Sequence, residues 1–265
     1  MPRSVFARLL HDRRRSLVWW CLGAGLMLTF QVAVYPSMKG QVDYQQIWDK
    51  MPEALRAMFG VNSGLDLTTP AGYLNAESLS LMVPILLAVF AIGLGGGTVA
   101  GDEERGTLDL MLAHPVRRRR VVLDTAAAAA LLVLALGAVL LAVVLAARPL
   151  FQLDIAVPRV LAAFVGVLSL AALFGALALA VGCGRGRKGV AYATAAGSLI
   201  VAYLVDTLAK AVDLLRPLRP LSPFRWALGD QPLRTGFHPL MLLPFVLAGL
   251  FVVAASVAFE RRDLT

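Results

Sequence analysis

The chain has 265 residues, of which 58% are hydrophobic and 16% charged, with a net charge of +8. A mean hydropathy of +0.73 is too high for a soluble domain with an ordinary polar surface, which leaves an integral membrane protein. The basic residues gather in short segments beside apolar runs, with no aromatic-interleaved groove sequence, so anionic lipid headgroups suit the charge better than nucleic acid.

At the N-terminus, Val5, Phe6, Leu9 and Leu10 share one helical face, while Arg3, Arg8 and the triplet Arg13, Arg14 and Arg15 lie on or around the other. This pattern predicts an amphipathic helix lying on the inner membrane surface before the chain turns into the bilayer. A topogenic charge cluster without a defined helix is the alternative. The charged stretch is long, a full-length apolar run follows, and no small-residue cleavage site stands out, so a removable signal is not expected.

A hydrocarbon core about 30 Å thick requires roughly 20 apolar residues of helix. Six stretches meet it, at residues 17–35, 78–99, 121–147, 160–182, 190–209 and 239–259. They are continuously apolar rather than alternating, which predicts helices and not barrel strands. The expected fold is therefore an all-α integral membrane protein with six transmembrane helices forming a single transmembrane domain over residues 1–265. Basic clusters precede the first stretch and follow the second, fourth and sixth, which predicts cytoplasmic N- and C-termini in a cytoplasmic membrane. Residues 210–238 go against this scheme: they should be external, yet carry Lys210, Arg216, Arg219, Arg225 and Arg234 against Asp213 and Asp230.

The external segment 36–77 contains Ile47, Met51, Leu55 and Phe59 at four-residue spacing, followed by Gly60. An amphipathic helix over about 43–59 is expected there, at the outer interface or capping the bundle. In the second span, Gly93, Gly97 and Gly101 form two overlapping G-x-x-x-G steps, suited to close approach of another helix. Gly166, Gly175 and Gly182 do the same for the fourth span, and Pro84 is expected to bend the second. A further interfacial piece is expected around 223–233, with Trp226 at headgroup level.

Chemistry within the chain finds little support. His11, His114 and His238 are separated from one another and from Cys21 and Cys183, so no metal-ligand spacing exists. Ser169 and Ser198 have no intramembrane histidine to act as base. No G-x-x-x-x-G-K-[ST] phosphate loop is present; GCGRGRKG at 182–189 lacks both the spacing and the hydroxyl. No cofactor is expected in this chain, and it is not expected to hydrolyse ATP alone. An ion-coupled carrier usually keeps an ionisable residue deep among its spans. Here Asp206 is placed to pair with Lys210 at i,i+4, and Asp124 to be neutralised beside the arginine run.

The segment 100–120, AGDEERGTLDLMLAHPVRRRR, lies between the second and third spans. Gly106 and Thr107 are placed to begin a short helix whose Leu108, Met111 and Leu112 share a face, with Pro115 ending it. Asp102, Glu103 and Glu104 precede it, where acids favour a helix N-terminus, and four arginines hold the next span at the headgroups. Such a ridge suits a cleft in another protein; an inner loop whose leucines rest on the membrane is the alternative.

The stretch DEERGTLDLMLAHPVRR resembles the permease subunits of type-two ABC exporters, in which an acidic cluster, Gly-Thr-Leu, a short apolar helix and Pro-Val with a basic residue join the second and third spans. MPEALRAMFG and GYL before the second span, SPFRW before the sixth and the C-terminal FERRDL extend the resemblance over most of the chain. It implies that residues from Asp102 to Pro115 dock a separate ATP-binding subunit, which holds ATP and magnesium. Glu103, Glu104, Gly106 and Thr107 would carry the motif and Leu108, Met111 and Leu112 the contact. It also implies a second permease chain, identical or different. One departure is Asp124, near the position where the family often has lysine. The lack of buried charge favours an amphipathic or apolar cargo. An ion-coupled carrier and a non-transporting scaffold or sensor are the other classes the sequence admits.

Overall fold

A computed structural model describes residues 5–38, 50, 52, 69–106, 117–151, 153–229 and 231–261. The expected external helix at 43–59 lies outside the described residues, apart from Lys50 and Pro52. Among the described residues every regular element is helical, and six helices are long and apolar enough to cross a membrane.

The first, α1 (Val5–Met38), is one continuous helix of 34 residues. The surface helix and the first span expected as separate pieces are therefore joined without a break. At 1.5 Å per residue α1 is about 51 Å long, well beyond a hydrocarbon core of about 30 Å, so its arginine-bearing N-terminal turns have to project past the core. No glycine or proline lies between Val5 and Leu22 to break it, and basic residues are good helix formers.

The short α2 (Pro70–Leu74) starts on a capping Thr69, whose hydroxyl accepts from the Gly72 amide at 3.2 Å, with proline in its first turn. A π turn (Asn75–Leu79) leads on toward α3 (Met82–Glu104). This corner is tied to α1: the Tyr73 hydroxyl donates to the Gln31 carbonyl at 3.1 Å, and Ser78 donates to the Gln31 side chain at 2.8 Å. Pro84 falls in the first turn of α3, where no helical hydrogen bond is lost, so the bend expected from it has no cause there.

α4 (Arg118–Leu150) follows, then α5 (Val157–Arg185) with proline in its first turn. Gly186 closes α5 in the left-handed conformation at φ 66, its amide donating to the Gly182 carbonyl at 2.8 Å. α6 (Lys188–Leu208) begins two residues later.

Between α6 and the last span the chain forms a 3₁₀ stretch (Asp213–Leu221), α7 (Pro223–Leu228), α8 (Pro232–Thr235) and a second 3₁₀ turn (Pro239–Leu242) leading into α9 (Leu243–Arg261). The piece expected at the interface, 223–233, packs onto the bundle. Phe224, Ala227 and Leu233 are buried, and the Ala227 carbonyl rests where a Cβ on Gly166 of α5 would stand. Ser222 makes this possible: its hydroxyl donates to the Ala202 carbonyl at 2.7 Å and caps α7 by accepting from the Phe224 amide at 3.3 Å. The Trp226 indole donates to the Pro220 carbonyl at 2.6 Å.

α5 is the hub, packing against α3, α4, α6 and α9. Most of α3 and α5 is buried, whereas α1, α6 and α9 leave wide apolar faces open. In lipid there is little hydrophobic gain from helix association, so close van der Waals packing has to supply it. The tightest approach places Gly95 of α3 on the Gly175 backbone of α5, with Gly175 facing Ala91 in return. Gly97 also lies in a contact, under the Tyr192 hydroxyl of α6. Gly93 and Gly101, expected to share that role, do not meet another helix at their Cβ positions. The close-packing glycines of α3 are Gly95, Gly96 and Gly97, because α5 and α6 pack on different sides of it.

The basic residues of 210–238 also find an explanation. Buried Asp206 at the end of α6 pairs with Lys210 at 3.0 Å, as expected, and with Arg219 from the 3₁₀ stretch at 3.2 Å. Arg216 pairs with Asp213 at 3.0 Å. Lys210, Arg216 and Arg219 thus have carboxylate partners among the described residues. Asp124, in contrast, forms no ion pair among the described residues, although Arg120 stands one turn before it in α4.

Candidate functional site

The segment that draws attention in the sequence opens at the C-terminal end of α3. The helix ends at Glu104, and Gly106 follows at φ 66, its amide donating to the Glu103 carbonyl at 2.9 Å. A left-handed residue just past a helix favours glycine, because any Cβ there is strained. Gly106 therefore terminates α3, and the helix expected to begin at Gly106 and Thr107 lies outside the described residues. Thr107, Leu108, Met111, Leu112 and Pro115 lie outside the described residues.

Asp102, Glu103 and Glu104 occupy the last turn of α3, where negative charge opposes the helix dipole. Cations from neighbouring elements offset this. Asp102, 7% exposed, pairs with Arg105 at 2.7 Å and with Arg8 of α1 at 3.7 Å. Glu104 pairs with Lys188 at 3.0 Å, and its other oxygen accepts from the Lys188 backbone amide at 2.9 Å. Glu104 thus caps the start of α6, for which Arg187 supplies no side-chain cap. An acid here does serve a helix N-terminus, but one 84 residues further on.

The result is a charged corner in which the last turn of α3 is fastened to α1 by Asp102 and to α6 by Glu104, directly before Gly106 and the Gly-Thr-Leu segment. Sequence reading missed Arg8 and Lys188 as partners. Their signal was present as unassigned cations beside spans, but pairing them required knowing which helix ends meet. Tyr192 was missed as well; its hydroxyl reaches the Gly93 carbonyl at 3.5 Å and fills the space left by Gly97.

A second feature lies among α3, α4, α5 and α9. A cavity of about 230 Å³ is walled by small and apolar residues that include Ala91, Gly95, Ala129, Gly175, Phe245 and Val252. No charged side chain lines it. The sequence has no Asp, Glu, Lys, Arg or His at 82–101, 125–147, 160–184, 189–205 or 239–259, so the middle depth of these helices is uncharged. Among the described residues no group of three or more His, Cys, Asp or Glu could hold a metal ion.

Six apolar helices, four of them packed about α5, with a charged corner that fastens α3 to α1 and α6, describe a multi-pass membrane protein. The family of the ABC-2 family transporter protein matches residues 4–264, and the chain belongs to that family. This is the family read from the DEERGTLDLMLAHPVRR stretch. Membership makes the chain a membrane permease component of an ABC transporter, not itself a catalyst, and in general a partner of an ABC ATP-binding subunit. Comparison with curated proteins gives no match.

Proposed function

We propose that the chain is the permease subunit of an ATP-driven exporter in the cytoplasmic membrane, with both termini in the cytoplasm. Its fuel is ATP hydrolysed on a separate subunit, which docks on residues 102–115. The observation that carries this reading is the doubly fastened last turn of α3. A push on Leu108, Met111 and Leu112 reaches Gly106 and then a helix end that cannot move without drawing on Arg8 of α1 and Lys188 of α6. A local displacement therefore becomes a relative movement of three helices.

The cargo is an amphipathic or apolar compound. Two features favour this: the apolar cavity among α3, α4, α5 and α9, and the lack of charge at mid-depth, which would leave a small ion without ligands.

A second copy of the chain completes the path by packing on α6. That helix is the least hydrophobic of the six spans, yet most of its surface is unburied. Gly189, Ala193 and Gly197 are exposed at four-residue intervals, with Thr194 beside them, and Gly189 and Gly197 have open space at their Cβ positions. A lipid-facing helix would gain from large apolar residues there, whereas a helix partner requires small ones.

The test is affinity purification of the tagged chain from its native membrane in mild detergent, beside a variant carrying Leu108→Ser, Met111→Ser and Leu112→Ser. An ATP-binding subunit should accompany the parent and be lost from the inserted, folded variant. Recovery of both without any ATPase, under conditions that keep other membrane complexes intact, would count against the docking role and favour a carrier or scaffold.

A further inference from the structure

The first turns of α1 and the end of α3 enclose a cavity of about 340 Å³ lined by Val5, Arg8, Leu9, Asp12, Arg13, Thr98, Asp102 and Arg105. We propose that this cavity binds a phosphate group, through the guanidinium groups of Arg8, Arg13 and Arg105. Three cations face two carboxylates there, leaving one positive charge over. The ion pairs locate it: Asp102 holds Arg105 at 2.7 Å and Arg8 at 3.7 Å, and Arg8 also meets Asp12 at 3.5 Å. Arg13 forms no ion pair or hydrogen bond among the described residues, although it is only partly exposed.

Arg13 is also aimed inward. Its Nη2 lies 3.9 Å from the Cβ position of Gly97, so it rests beside α3 and does not extend along the membrane surface. Gly97 is five residues before Asp102, about 7.5 Å deeper along the helix. A half-buried guanidinium at that depth, with no acceptor among the described residues, calls for an anion. Each guanidinium has five donors in a planar fork; Arg13 keeps all of its own free of partners among the described residues, and the ion pair of Arg105 with Asp102 leaves others on that side chain. A tetrahedral phosphate offers enough acceptor oxygens to take bonds from more than one fork. Val5 and Leu9 give the same wall an apolar side, suited to the glycerol region of a phospholipid. The phosphate could belong to a lipid headgroup or to a free phosphate compound, and the chemistry of recognition is shared.

The site shares Asp102 and Arg105 with the docking segment but is centred on Arg13 of α1, and ligand binding by the purified chain is read without any ATPase, so its test does not depend on the exporter reading. The full chain is purified in an uncharged detergent, and phosphatidylglycerol or phosphatidylcholine is titrated in while native mass spectrometry counts retained lipid. Inorganic phosphate and glycerol 3-phosphate are titrated in parallel, with the thermal unfolding midpoint as readout. One phosphatidylglycerol should be retained about tenfold more tightly than phosphatidylcholine, and Arg13→Gln should remove the difference. Arg14→Gln, at the exposed neighbouring position, should leave it in place. If glycerol 3-phosphate raises the midpoint of the parent but not of Arg13→Gln, with no lipid preference, the site stands and its ligand is soluble. If Arg13→Gln and Arg14→Gln behave alike with every ligand, the proposal is overturned. A photoactivatable phosphatidylglycerol bearing its probe in the headgroup gives a reading on the unmodified protein. Labelling within residues 5–15 or 97–106 supports the site, and labelling confined to other segments overturns it.

Discussion

Two residues show how much of this protein rests on local compensation. Asp206 is a buried carboxylate between Lys210 and Arg219, with its side chain 8% exposed. Removing its charge leaves both cations without their acceptor, at a helix end that also anchors the 3₁₀ stretch. Asp206→Asn, which keeps the shape, is expected to destabilise the fold on the order of 3 kcal/mol. Asp213→Asn, which breaks the exposed pair with Arg216, should change stability by less than about 1 kcal/mol. Thermal unfolding in detergent distinguishes them, and equal midpoints would show that Asp206 contributes nothing beyond an ordinary surface charge. A similar contrast applies to glycine. At Gly166 the Ala227 carbonyl occupies the Cβ position, so Gly166→Ala has to push α7 off α5 and should lose about 1–3 kcal/mol. Gly197 has open space, and Gly197→Ala should leave the unfolding midpoint of the single chain unchanged. A parent-like midpoint for Gly166→Ala would mean that α7 is not held by that contact.

Helices and their ends differ in how far the sequence reveals them. The six apolar runs stand out because lipid requires long, continuous hydrophobic helices with internally satisfied backbones, and that demand is written residue by residue. Helix ends are less visible, because Gly106 can stop one helix or start another, and only its left-handed φ distinguishes the two. The acids after the second span had the right chemistry for a helix N-terminus, yet Glu104 caps α6 across a gap of 84 residues, which no local pattern encodes. The same holds for Gly95, which belongs to neither expected G-x-x-x-G step but meets Gly175 because α5 crosses α3 at that level. The Glu104 link also yields an expectation about coupling. Glu104→Gln keeps an acceptor for the Lys188 amide but loses the ion pair, so α3 and α6 should slip relative to each other. Transport per ATP hydrolysed, measured in vesicles with the partner ATPase, should fall several-fold while the ATPase remains bound. Unchanged coupling would place force transmission on Asp102 and α1 instead.

At the scale of the whole molecule, one chain leaves surfaces that lipid alone explains poorly. α1 and α9 expose large apolar residues, such as Trp19, Leu26 and Phe30 on α1 and Leu250 and Val253 on α9, as helices facing acyl chains should. α6 exposes Gly189, Ala193, Thr194 and Gly197, which present backbone and hydroxyl where lipid contact would favour bulk. A helix from a second copy, approaching along that groove, would recover the missing van der Waals contact from both sides, because a two-fold arrangement presents the same groove to its mate. The groove does not contribute to folding of the single chain, since nothing packs on Gly189 or Gly197 within it. Filling it should therefore separate assembly from folding. Ala193→Leu with Gly197→Leu is expected to keep the parent's helix content and unfolding midpoint. The same pair should weaken association of the two copies by at least about tenfold, through steric overlap at the contact. Light scattering of the purified protein in detergent reads the outcome as a particle of one chain where the parent gives two. A variant that remains paired would move the contact to another face, with α1 the next candidate because its exposed Gly23 also has open space at its Cβ position.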